Sequence, residues 1–188
     1  MMRTLLVMLR FDGRSFSGWQ VQQNAPTVMQ TFQEALETVL HEHTDVKGCS
    51  RTDAGVHALR YGVSFTTSCA IPVERVPIAL NAHLPRQISA IACRAVPDGF
   101  HARYDAQGKR YCYRILNTSL RDPFWEGLAL QMARPLDEAL LNAQAQDFVG
   151  THDFSAFHNA GAPVHDTVRT IFAAGARRVG DQVEVFVE

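Results

Sequence analysis

The chain has 188 residues, 46% hydrophobic and 20% charged, globular proportions that predict a packed core and exclude global disorder. Its formal net charge of -1 carries no general basic excess, so any surface for a polyanion must be local. The four cysteines, Cys49, Cys69, Cys93 and Cys112, form no C-x-x-C pair, which argues against a zinc ribbon or redox pair and for reduced thiols in a cytosolic setting.

Residues 4–11 read as a buried strand; Arg10 and Asp12 interrupt the apolar run, so it does not read as a signal peptide, and no stretch reaches the length of a membrane span. Residues 12–26, rich in Gly, Ser, Asn and Pro, read as a loop. Thr27 and Gln30 have capping-box spacing. Val28, Phe32, Ala35, Leu36, Val39 and Leu40 then recur at helical spacing, which predicts a helix over about 27–43. A short strand at 45–50 and a longer one at 57–66 suggest a hairpin around Asp53-Ala54-Gly55. A short helix is expected over 74–83, starting late or bending at Pro77, and a strand over 88–96. The order β-α-β-β-α-β is that of a ferredoxin-like split unit.

The second half repeats part of this order. A strand at 108–116 carries Tyr111, Tyr113 and Ile115 on one face. A strand near 127–133, a helix over 136–148 and strands at 167–178 and 182–188 follow. A further helix and strand would complete a second split unit. The alternating Val183, Val185 and Val187 therefore predict a face left bare. The expectation is an α+β protein of two ferredoxin-like (split βαβ) halves with antiparallel sheets, 1–104 and 105–188, the second truncated.

The segment Arg51-Thr52-Asp53-Ala54-Gly55-Val56-His57 is where chemistry concentrates. Gly55 frees a turn to take positive φ. In an extended segment Arg51 and Asp53 project to the same side, where the guanidinium favours an ionised, nucleophilic carboxylate. The competing reading is structural: Arg51, Asp53 and the Thr52 hydroxyl staple the turn. On this pattern alone the staple is the commoner case, because structural ion pairs are frequent.

The stretch Arg51–Ala58 resembles the catalytic motif of the TruA-type tRNA pseudouridine synthases. Further matches follow in order: Phe11-Asp12-Gly13, Phe16-Ser17-Gly18-Trp19-Gln20, Thr27-Val28, Asn81 with Leu84-Pro85, Phe100-His101-Ala102-Arg103, the 109–114 strand, the 150–157 stretch and Arg169. The resemblance implies two halves flanking a central catalytic cleft, in a homodimer that acts on tRNA in the cytoplasm. It implies that Asp53 is the catalytic aspartate, Arg51 its ion partner and Tyr111 the residue that contacts the target base. The implied reaction breaks the N-glycosidic bond of uridines in the anticodon stem-loop (positions 38–40) and rejoins the uracil through C5, with no metal or other cofactor. Attack at C1′ of the sugar and addition at C6 of the ring both remain open. A single carboxylate suffices because no water must be activated, unlike the paired acids of most glycosidases.

The target uridine must leave its stack, and an aromatic ring can support it; Tyr111 suits that role, while Tyr113 is expected in the core. Arg103, Lys109 and Arg110, with Arg114 and Arg121, could hold phosphates or form a solvated face. Trp19 is expected to pack its loop. His152, His158 and His165 do not have metal-ligand spacing, and His41 and His43 are expected at an exposed helix end. The sequence departs from the family pattern at Ser50, Met29 and residues 60–65, and stops before the family's C-terminal helix. A binding module of the same family without turnover is thus the alternative reading. A dimeric aspartic protease built on Asp53-Ala54-Gly55 lacks the usual hydroxyl residue at Ala54 and leaves the other motifs unexplained.

Overall fold

The computed structural model describes residues 2–157 and 166–188. The chain divides into two compact units, residues 1–107 and 108–188. The first contains β1 (Arg3–Phe11), α1 (Val28–Leu40), β2 (Lys47–Gly48), β3 (Ala58–Thr67), α2 (Val76–Asn81) and β4 (Ile88–Val96). Its strands lie in the order β2-β3-β1-β4, with every neighbouring pair antiparallel. Leu5, Val7, Leu9 and Phe11 are buried on one face of β1, together with Tyr61, Val63 and Phe65 of β3. Val28, Phe32, Leu36 and Leu40 of α1, and Val76 and Leu80 of α2, belong to the same buried cluster. The helical spacing read from the sequence is thus the stripe that covers the sheet.

Local chemistry sets the element ends. The Thr27 hydroxyl accepts the Gln30 N–H at 3.4 Å, but the Gln30 amide donates forward to Glu34 at 3.0 Å rather than back to Thr27. The reciprocal half of the capping box is therefore missing. The carbonyls of Gly18 and Trp19 accept instead from the Val28 and Met29 N–H groups, at 3.1 and 3.0 Å, tying the preceding loop to the helix start. The helix stops at Leu40 rather than 43 because His41 turns left-handed, with φ 56°; His41 and His43 are exposed as expected. Pro77 lies in the first turn of α2. The Asn81 side-chain amide bonds both the N–H and the C=O of Ala90, fastening α2 to β4. Both β1 ladders shift register between Met8 and Phe11, an irregularity that re-aims the chain just before Asp12.

The second unit contains β5 (Tyr111–Leu116), β6 (Leu130–Gln131), α3 (Glu138–Ala145), β7 (Gly150–Asp153), β8 (Val168–Ile171), β9 (Ala174–Val179) and β10 (Gln182–Val187). One sheet runs β6-β5-β10-β9, with β5 and β6 parallel and the rest antiparallel; β7 and β8 form a separate antiparallel pair. The single strand expected over 167–178 is two strands in different sheets. The chain breaks at Phe172 and Ala173, whose N–H groups both point at the Glu188 carbonyl. The valine face is less bare than expected. Val183 is fully buried with Ile115 and Ala176, and Leu136 and Leu141 pack against them from the region of α3; Val187 keeps 37% of its surface exposed. Tyr113, expected in the core, is exposed, because the buried patch on this face reaches only as far as Ile115 on β5.

Candidate active site

The loop carrying Asp53 is held by main-chain bonds. The Trp19 N–H donates to the Thr52 carbonyl at 3.1 Å, the Gly55 N–H to the Phe16 carbonyl at 3.1 Å, and the Val56 N–H to the Asp53 carbonyl at 3.2 Å. Gly55 takes φ +78°, as its position in the turn requires. Two other glycines let neighbouring segments close in. A Cβ on Gly13 would sit 2.0 Å from the Val56 carbonyl oxygen, and one on Gly18 would sit 2.4 Å from that of Thr52. The Ser50 end is clamped by Tyr61, whose hydroxyl donates to the Ser50 carbonyl and whose ring stacks at 4.5 Å on Trp19. Trp19 is 3% exposed, so it packs the loop as expected.

The polar side chains of the motif are left over by this scheme. Asp53 and Arg51 are both exposed. Among the described residues they form no ion pair with each other or with any other group. The expected Arg51–Asp53 pair is therefore not made: an exposed pair gains little over solvation, and Arg51 instead lines a cleft with Trp19, His101 and Arg103. The Thr52 hydroxyl is buried and finds no hydrogen-bond partner among the described residues. The staple reading fails in its own terms, because none of the three side chains holds the turn.

Sequence reasoning did not single out Asp12, Arg14 and His57. Asp12 accepts three hydrogen bonds from the Arg14 guanidinium, at 2.6–3.0 Å, and one from the Arg14 N–H. The side-chain bonds from Arg14 are the main cause that holds the Asp12 carboxyl down at about 2. The His57 Nδ1 atom lies 3.2 Å from Asp12 Oδ1 and 3.4 Å from the Gly13 N–H. It can donate to the first or accept from the second, but not both at once. This cluster ties the far end of the Asp53 turn to the exit of β1. The only sequence signal for it was the presence of Phe11-Asp12-Gly13 and His57 among the ordered matches.

In the second unit, Tyr111 opens β5 opposite Val187 and is exposed over about half its surface. Arg110 pairs with Glu188 at 3.4 Å and lies 4.3 Å over the Phe186 ring. Arg114 pairs with Glu184 at 3.3 Å. Lys109 and Arg121 are exposed, without an ion pair among the described residues. Arg103 belongs to the first unit. Its guanidinium lies 5.8 Å from the Tyr104 ring centre. Among the described residues no group of three His, Cys, Asp or Glu could hold a metal ion, and no helix is long and apolar enough to cross a membrane. His152 bonds the Val149 carbonyl at 3.0 Å, while His158 and His165 lie outside the described residues. None of the four cysteines is in a disulfide; burial pushes the Cys93 thiol up to about 11, away from a reactive thiolate.

A family model described as tRNA pseudouridine synthase matches residues 7–105 and 144–188. The chain belongs to the tRNA pseudouridine synthase family, a family of isomerases. It is 38% identical over 187 residues to the tRNA pseudouridine synthase A of Thermoanaerobacter sp. (strain X514), covering 100% of this chain and 77% of that protein. It is 38% identical over 183 residues to the protein of the same name from Staphylococcus aureus (strain MRSA252), covering 97% of this chain and 69% of the relative. The matched part of the tRNA pseudouridine synthase model includes Asp12, Arg51, Asp53, His57 and Arg103, whereas Lys109, Arg110 and Tyr111 fall between its two matched stretches.

Proposed function

We propose that this chain converts uridine to pseudouridine in the anticodon stem-loop of tRNA (positions 38–40), with Asp53 as the nucleophile. The observation that carries the reading is the idle carboxylate: Asp53 is exposed, unpaired among the described residues, and mounted on a turn held by main-chain bonds. A group kept in place without using its own oxygens keeps its lone pairs for a substrate. In one route the carboxylate attacks C1′, the N1–C1′ bond breaks, the uracil turns, and C5 displaces the carboxylate from C1′. In the other it adds to C6, the N1–C1′ bond breaks, the uracil turns, C5 bonds to C1′, and the C6–carboxylate bond breaks by elimination as the C5 proton leaves. In both, C5 loses its proton last, N1 ends with one proton gained, and the carboxylate is regenerated, so the reaction is a net isomerisation that consumes no oxidant, reductant or water.

The strand order β2-β3-β1-β4 with two crossing helices supports reading the first unit as a ferredoxin-like half. The second half, from about residue 105, would face it across a cleft and bring Tyr111 against the extruded base. Arg51 would meet Asp53 or the RNA backbone once substrate is bound. Lys109 and Arg110 remain candidates for phosphate contact, Arg110 only at the cost of its Glu188 pair. The homodimer and the cytoplasmic setting are carried by the family likeness alone.

The test is tritium release from tRNA labelled at uridine C5. Asp53→Asn should lower turnover on the order of 10³-fold or more while its melting curve and tRNA affinity stay near wild type. Turnover surviving in that variant removes Asp53 from the mechanism. Tight, salt-dependent tRNA binding by the wild type with no tritium release would instead establish the non-catalytic binding module.

A further inference from the structure

We propose that the cleft beside Arg51 is a second RNA subsite, which stacks an unpaired base flanking the target uridine and holds its phosphate. This rests on the reading of RNA as substrate and adds a site to it. The cleft has a volume of about 170 Å³, and its lining includes Trp19, Lys47, Arg51, His101, Arg103 and Tyr104, with no carboxylate. Lys47 shares its charge with Asp45 at 3.7 Å. Arg51 and Arg103 have no ion pair among the described residues, so two guanidinium groups are left for an anion. Guanidinium groups suit phosphate because their donors form a planar fork.

The aromatic part is built rather than incidental. Tyr104 keeps 75% of its surface exposed, and its ring centre lies 4.4 Å from that of His101. The turn beneath is locked: the His101 N–H donates to Asp105 at 2.7 Å, and the His101 carbonyl accepts from the N–H groups of Tyr104 and Asp105 at 3.0 and 2.9 Å. Buried Ala102 donates its N–H to Ser64 on β3 at 2.9 Å, anchoring the turn to the sheet. The Arg103 N–H donates to His101 Nδ1 at 3.2 Å, so a neutral ring carries its proton on Nε2. An exposed ring on an anchored turn, beside unpaired cations, is the pattern by which proteins hold single-stranded nucleotides. Arg51 also stands two residues from Asp53, so the base received here is a neighbour of the reacting nucleotide.

The experiment uses the full chain and anticodon stem-loop RNA carrying 2-aminopurine on either side of the target uridine. Stacking should quench the fluorophore at one of the two positions. Tyr104→Leu should abolish that quenching and weaken binding about tenfold, while Tyr104→Phe keeps both. Arg103→Ala should lower the slope of log affinity against log salt by about one. Unchanged quenching in Tyr104→Leu, or equal losses in the Phe and Leu variants, would overturn the subsite. None of these readouts needs turnover. Absent tritium release therefore defeats the proposed function alone, and an unmoved fluorescence signal defeats the subsite alone.

Discussion

The two units differ in how much core stands behind their functional residues. In the first, eighteen hydrophobic residues form one buried cluster beneath two helices, and the Asp53 loop leans on that cluster through Phe16, Trp19 and Tyr61. In the second, the cluster among the described residues has three buried members, Ile115, Ala176 and Val183. Around it lie ion pairs: Arg110 with Glu188 and Arg178 with Glu138 at exposed or partly exposed positions, and Arg114 and Arg177 with Glu184, whose side chain is only 13% exposed. The exposed pairs among them add little stability each, whereas buried apolar surface adds the most. The comparison bears on where the proposed nucleophile is mounted. A side chain with no bonds of its own keeps its position only if the backbone under it is rigid, and the first unit supplies that rigidity.

Three experiments press on this contrast. The largest effect is expected from Phe32→Ala, which empties the centre of the first cluster. It should cost about 3–5 kcal/mol and speed amide exchange in β1 and β3. In the wild type those amides should exchange more slowly than those of β5, β9 and β10; equal protection in both units would remove the contrast. Next comes Gly13→Ala. Its methyl group would meet the backbone of Val56 at 2.0–2.5 Å, so the Asp53 turn must move. A loss of about 1–3 kcal/mol should accompany a fall in turnover larger than the fall in tRNA affinity. If turnover is untouched, the turn need not be held where it is.

The smallest effect is expected from Asp12→Asn. The folded carboxyl titrates at about 2, chiefly because of Arg14, against about 3.9 in an unfolded chain. Its stabilisation is therefore fully present above pH ~4 and is lost as the pH falls through ~2. Because the side chain is about one third exposed, screening should reduce the effect to roughly 0.5–1 kcal/mol at neutral pH. Thermal melts of the variant and the wild type should converge toward pH 2.

Much of this was legible in the chain itself. Helical spacing from Val28 to Leu40 is a local consequence of burying one face, and the apolar run of β1 a local consequence of a buried strand, so both are written in the order of residues. The same locality made the Asp53 turn visible, and the ordered matches along the chain pointed to its family. Less legible were features that depend on residues distant in sequence. The break at Phe172 and Ala173 exists because both N–H groups meet the Glu188 carbonyl. The exposure of Tyr113 follows from how far the buried patch extends across the sheet. The Asp12–His57 approach needs β1 and the loop before β3 to lie side by side.

Asp53 shows the division most clearly. Residue identity and spacing marked it as a carboxylate on a glycine turn, with Arg51 expected as its partner. Tertiary structure decided that Arg51 faces a cleft instead, that the Thr52 hydroxyl finds no partner among the described residues, and that the turn hangs on the main-chain groups of Phe16, Trp19 and Val56. The physical reason is that side-chain pairing at a solvent-exposed turn is nearly neutral in energy. Its outcome is set by which neighbours the fold brings up, and a local pattern does not carry that information.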